Sequence, residues 1–244
     1  GRVAEEIRRE SRRRGAGLVV IGAQGEHATG ATDGMGATAR QVLEHAVGMV
    51  LVVPEIARAG PPRLRRILVP LDGSSWSETA LPVALRVARA TGAGVTLVQV
   101  VAAPDPAGAL PPEREDVDLR ERLLDRDERV AKRHLEQLRR AFVDQGVSGR
   151  AQVVRGDDAR AALSALLARE PVDLVVMSAC GHGGARSSSA RCGGVPAHLA
   201  GRAPTPLLIV RPASARVSRG HEMAAPRAAF APPVDAGLGA GAGW

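Results

Sequence analysis

The chain has no tyrosine, two phenylalanines and two tryptophans, an aromatic share of only 2%. A core made from it must consist of Val, Leu, Ile and Ala, which suits a parallel sheet covered by helices. Lysine is almost as scarce. Lys132 is the single one, so the net charge of +7 is an arginine charge. Such a surplus would suit a polyanion, but the arginines are scattered among acids with almost no aromatics between them to stack on bases. Nucleic-acid binding is therefore not expected. Two cysteines, Cys180 and Cys192, are too few for a disulfide framework, and a reducing cytoplasm is the default compartment. No run approaches the roughly 18 apolar residues of a membrane span, and no segment reads as a signal peptide.

What is present is an internal repeat. Leu18–His27 (LVVIGAQGEH) is echoed by Leu174–Gly183 (LVVMSACGHG), and Gly36–Val53 by Gly193–Val210, at offsets of 156 and 157 residues. Each echo is an apolar strand, a glycine-rich loop, a short helix and a second apolar strand. The repeating unit is thus a domain of ordinary size. The first copy begins only shortly before its repeated strand, so residues 1–54 read as the C-terminal half of a first domain. Residues 55–63, with Gly60, Pro61 and Pro62, read as a linker. Residues 64–212 read as a complete domain, and 213–244, rich in Ala, Gly and Pro, as a disordered tail.

The elements follow from periodicity and punctuation. Residues 1–14 predict a charged helix, 18–22 a buried strand, 36–45 a helix and 49–53 a strand stopped by Pro54. In the complete copy the strands are 66–72, 94–101, 150–155, the run after Asp173, and Pro206–Val210. Between them lie a helix capped by Ser74 or Ser75 and running to Ala90, a long charged helix over 114–145, and a helix over 158–169. A short helix precedes the last strand. Five strands alternating with four helices indicate right-handed βαβ units on a doubly wound, Rossmann-like parallel sheet. The two strands of the first copy cannot close a sheet alone. They must pack on something, for example a second chain or the missing part of their own domain.

In such sheets ligands sit beyond the carboxyl ends of the strands. Two segments there have suitable chemistry. Asp72 closes the first strand in VPLDGSS, where its carboxylate can accept hydrogen bonds or simply cap a turn. The glycine loop after Met177 can turn backbone N–H groups toward a phosphate. Other signals fail. The tail GLGAGAG has dinucleotide-like glycine spacing without a strand before it, and no Walker-type GxxxxGK[ST] occurs. Cys180, His182, Cys192 and His198 match no standard zinc spacing, and no nucleophile elbow supports Ser/His/Asp catalysis.

The segment RRILVPLDGSSWSETALPVALRVA, the strand VTLVQVV and the strand–glycine loop–helix–strand ending together resemble the universal stress protein family, over 64–212 and again in 1–54. The resemblance implies a five-stranded doubly wound fold of the adenine nucleotide alpha hydrolase type and a homodimer formed through the last strand, Pro206–Val210. It also implies binding of ATP in stress adaptation. The nucleotide-binding branch uses a first-strand Asp, matched by Asp72, and a second-strand Val, matched by Val100. Its loop reads Gly, two residues, Gly, nine residues, Gly, then Ser or Thr. By the repeat, Ser178 takes the first glycine position, Gly181 the second and Gly193 the third, with eleven residues in the long gap and Gly194 in place of the hydroxyl residue. A literal spacing instead selects Gly181, Gly184 and Gly194, with Val195 in that place. Both readings lose the phosphate-binding hydroxyl, which Ser187, Ser188 or Ser189 would replace only on a loop that folds back. In the first copy, Gly22, Gly25 and Gly36 enclose a ten-residue gap and Ala37 stands at the hydroxyl position. With no catalytic signature and no metal-ligand set, dedicated ATP hydrolysis is not expected. The alternative is a nucleotide-independent, dimerising interaction protein with a degenerate phosphate loop.

Overall fold

The computed structural model describes residues 2–25, 34–46, 48–55, 63–102, 114–182 and 192–211. Most of the expected linker, the loop after residue 102, Gly184, Ser187–Ser189 and the tail lie outside the described residues. The apolar runs form seven strands: β1 (Leu18–Gly22), β2 (Met49–Val53), β3 (Arg66–Leu71), β4 (Gly94–Val101), β5 (Gly149–Arg155), β6 (Leu174–Ser178) and β7 (Leu207–Val210). The helices are α1 (Arg2–Arg13), α2 (Ala37–His45), α3 (Leu81–Thr91), α4 (Arg114–Asp144), α5 (Ala159–Arg169) and α6 (Gly194–Arg202).

The strands join in one sheet, ordered β1-β2-β7-β6-β3-β4-β5. Within the complete copy every pairing is parallel, with β3 between β6 and β4. The doubly wound architecture expected from the alternation of elements is therefore present, extended by two strands. Side chains alternate between two apolar layers. Leu68, Val98, Val175, Met177 and Ile209 face α2, α5 and α6. Ile67, Val69, Leu97, Val176 and Leu208 face α3 and α4, where Leu135 and Phe142 are fully buried.

Local chemistry sets the helix ends. Asp158 caps α5 by accepting from the Arg160 N–H at 2.9 Å. Gly92 ends α3 at φ 72°, the left-handed conformation that glycine adopts without strain. The helix expected to run unbroken from Ser74 or Ser75 is instead divided. Ser77–Ala80 is a 3₁₀ turn and α3 begins at Leu81, because Pro82 in its first turn donates no hydrogen bond back to that segment. At the far edge of the sheet, Arg155 is held by Glu121, Asp125 and Glu128, which line up along α4, at 2.9, 2.6 and 2.6 Å.

Two expectations need correction at the other end. The two-strand first copy joins the sheet of the complete copy. β2 runs antiparallel to β7 of the same chain, with Val50 opposite Ile209 and Val52 opposite Leu207. Val50, Val52, Leu43 and Met35 merge into the same layer as Leu199 and Ile209, and the Arg211 guanidinium donates to the carbonyl of Leu43. β7 is thereby paired on both edges, so the last strand offers no free edge for the expected homodimer. Nor is β1 a buried strand. Leu18 and Val20 are 43% and 60% exposed. They share a face with Met49 and Leu51, and over β1 that face carries no helix among the described residues.

Candidate functional site

The strand order reverses around β3: the chain winds from β3 to β4 and β5 on one side, then crosses to β6 and β7 on the other. The crevice beyond the carboxyl ends of β3 and β6 is the switch point where open α/β sheets hold ligands. A cavity of about 420 Å³ occupies it, within the usual size of small-molecule sites. Its apolar walls come from Val98, Val100, Leu163, Met177, Val195 and Pro196, and its polar groups include Asp72, Asp158, Arg160 and Ser178.

Asp72, the residue after β3, ties the two sides of the crevice together. Its Oδ1 accepts from the Ser74 N–H at 2.9 Å and from the Ser74 hydroxyl at 2.5 Å. Its Oδ2 accepts from the His182 backbone N–H at 2.7 Å, and the His182 ring Nδ1 stands 3.5 Å from the same oxygen. Burial pushes the Asp72 carboxyl up. The hydrogen bonds from the Ser74 side chain, the His182 and Ser74 N–H groups and Ser77 outweigh it, and the pKa lies below its ordinary value. Asp72 is therefore an anion at neutral pH, held 110 residues away in sequence from the glycine segment it contacts.

That contact explains why position 181 is glycine. A Cβ there would be driven into the Asp72 carboxylate. Gly181→Ala is accordingly expected to cost about 1–3 kcal/mol, the usual penalty of overpacking, read as a lower urea midpoint. A variant as stable as the parent would show that the Asp72–His182 bridge does not form.

On the opposite side Gly193 caps α6 with no side-chain partner, so the first N–H groups of that helix lack a capping oxygen from the cap residue. Gly193, Gly194 and Val195 all line the cavity. The Gly193 N–H itself donates to the Ala179 carbonyl at 2.7 Å, closing the neck of the glycine segment. Ser178 is buried, and its hydroxyl oxygen accepts from Thr79 Oγ1 and from the Cys180 N–H, each at 3.2 Å.

The cavity thus gathers Asp72, Val100, Ser178, Gly181, Gly193 and Gly194. Gly184 is outside the described residues. Sequence reasoning missed Arg160 and Asp158. The pattern Gly-Asp-Asp before an Ala-rich run signals a helix cap, and nothing in it shows that this helix start faces a cavity. His198, grouped by sequence with the two cysteines and His182, instead pairs with the Ser164 hydroxyl at 3.3 Å and Arg202 at 3.0 Å.

No curated protein matches the chain. The universal stress protein UspA from Lactobacillus plantarum superposes with a TM-score of 0.54 at 20% identity, covering 62% of this chain and 100% of that one. A universal stress protein from Archaeoglobus fulgidus gives 0.58 at 17% identity, covering 85% of this chain and 64% of that one. A protein of unknown function from Pseudomonas aeruginosa gives 0.59 at 16% identity, covering 86% and 68%. At these identities the likeness is one of fold. The model of the universal stress protein family matches residues 63–211, more than half the sequence, and on that ground the chain belongs to the universal stress protein family.

Proposed function

We propose that the cavity at the switch point binds an adenine nucleotide, ATP in the first instance, and that the protein acts in stress adaptation in the cytoplasm by binding or sensing it. The observation carrying this reading is the position of Asp72, an anion at the end of the central strand, facing an uncapped helix start across a largely apolar cavity. In this reading Asp72 accepts from the ribose or base and Val100 packs against the base. The phosphates lie toward Gly181, Gly193 and Gly194, where backbone N–H groups and the start of α6 favour an anion.

Gly194 supplies no hydroxyl to the phosphates, so the phosphate end relies on backbone groups, and Arg160 is the side chain of suitable charge on the cavity wall. The same lack supports a second reading, a nucleotide-independent interaction protein. Asp72 fits that reading too, because its two oxygens already accept from Ser74 and His182.

Calorimetric titration of ATP into the wild type and Asp72→Ala separates the two. A hydrogen bond to a charged group contributes about 1.5–3 kcal/mol, so Asp72→Ala is expected to weaken ATP by about tenfold to hundredfold. No heat at millimolar ATP in the wild type would favour the second reading. Equal affinity in both proteins would remove Asp72 from the site.

A further inference from the structure

Both cysteines of the chain line the cavity wall, although they are 12 positions apart. They are placed by one hydrogen bond. The Gly193 N–H donates to the Ala179 carbonyl at 2.7 Å, and Cys180 and Cys192 are the next residue outward on the departing and the returning chain. Ala179 is fully buried, and its own N–H donates to the Val210 carbonyl at 2.7 Å. The neck is therefore fixed to the central sheet on one side and runs into α6 on the other. A disulfide needs Cα atoms roughly 4.4–6.8 Å apart, and this hydrogen bond holds the two chain segments together at the positions directly before Cys180 and after Cys192. Both side chains are half-buried, unbridged and packed on the same apolar layer.

We propose that Cys180 and Cys192 form a peroxide-oxidisable dithiol, a redox modification site in the cavity wall whose disulfide lowers the affinity of the cavity for its ligand. Burial pushes the Cys192 thiol up to about 11, partly offset by Arg211 and reinforced by the charges of Cys180 and Glu44. Cys192 is thus the neutral, resolving thiol, and the first step falls to Cys180. The Cys180 sulfur attacks one oxygen of hydrogen peroxide, the O–O bond breaks, and water leaves a sulfenic acid on Cys180. The Cys192 sulfur then attacks the sulfenic sulfur, the S–O bond breaks, and its oxygen leaves as a second water, taking up the Cys192 proton. The two thiols give up two electrons and two protons, and one peroxide becomes two waters. A dithiol reductant returns both thiols by exchange.

The formation of the bond is independent of the nucleotide reading. Its effect on affinity rests on that reading. The test uses the full chain, reduced and then exposed to stoichiometric hydrogen peroxide, quenched in acid, alkylated and analysed by mass spectrometry. Trypsin cuts after Arg186 and Arg191, between the two cysteines, so the disulfide joins two otherwise separate peptides. The expected result is loss of both free thiols together, an intact mass lower by two hydrogens, the linked peptide pair, and full recovery with dithiothreitol. Cys192→Ser should retain a sulfenic acid on Cys180 that a dimedone probe captures. Two thiols still open to alkylation, independent oxidation to sulfinic acids, or bonds between chains would overturn the proposal. ATP titration of the oxidised form should show affinity at least about tenfold weaker than the reduced form, equivalent to about 1.4 kcal/mol, and unchanged affinity would overturn the coupling. If the reduced protein also binds no ATP, the nucleotide reading fails while the peptide result still decides the disulfide.

Discussion

Val52→Asp is expected to destabilise the chain by about 4 kcal/mol or more, enough to undo most of the stability of a typical domain. Val52 is 1% exposed, flanked by Ile21 of β1 and Leu207 of β7, and faces the layer that holds Leu199 and Leu43. A carboxylate there loses its water among aliphatic side chains. Several kcal/mol of desolvation adds to the roughly 1.5–3 kcal/mol of lost apolar burial. The comparison that gives the result meaning is Val20→Asp. Val20 lies on the neighbouring strand in an equally apolar run but is 60% exposed, and surface changes of this kind usually stay within about 0.5 kcal/mol. Urea unfolding followed by circular dichroism reads both variants. A cost for Val52→Asp below about 1 kcal/mol would mean that the N-terminal strands do not dock on β7 and that the seven-stranded sheet is not one cooperative unit.

Phe142→Ala is the second large effect, expected at about 3–5 kcal/mol. Phe142 is fully buried near the end of α4, within the layer formed by Leu97, Leu135 and Val147. Its carbonyl also accepts from the N–H groups of Gln145 and Val147 at 3.1 and 3.0 Å, at the turn that leads from α4 into β5. The chain is so poor in aromatics that the surrounding side chains are aliphatic, and a close-packed interior relaxes only partly around a void. Gly149, at the start of β5, lies close to Phe142 Cβ and to the Arg139 side chain. Thermal unfolding should show a correspondingly lower midpoint. A loss under about 1.5 kcal/mol would indicate that α4 repacks freely on β4 and β5.

Much of this architecture was legible from apolar runs and the residues that punctuate them. ILVPLD, VTLVQVV and LVVMS read as apolar strands, and Asp158 and Gly92 mark helix ends for plain stereochemical reasons. β1 was misread because LVVIG is chemically the same as LVVMS. Burial depends on what lies beside a strand, and β6 has β3 where β1 has nothing described. The direction of β2 against β7 was illegible for a related reason, since a strand's own side chains do not encode the orientation of its partner. At the candidate site, Asp72 and the glycines stood out by type and position. Their mutual contact, in which the Asp72 carboxylate requires a missing Cβ at Gly181, needed the fold to bring residues so distant in sequence together. Arg160 was hidden because its local sequence announces only a cap.

The junction between β2 and β7 has a further consequence for the order in which the molecule forms. Its register joins Val50 to Ile209, residues roughly 160 positions apart, so the entropy of closing that loop opposes it until both sides are already built. The strands β3, β4 and β5 pair with near neighbours along the chain and provide the surface on which β6 and β7 assemble. The N-terminal strands are therefore expected to arrive last, onto a finished edge, and during synthesis β2 must wait for β7 to emerge before it can dock.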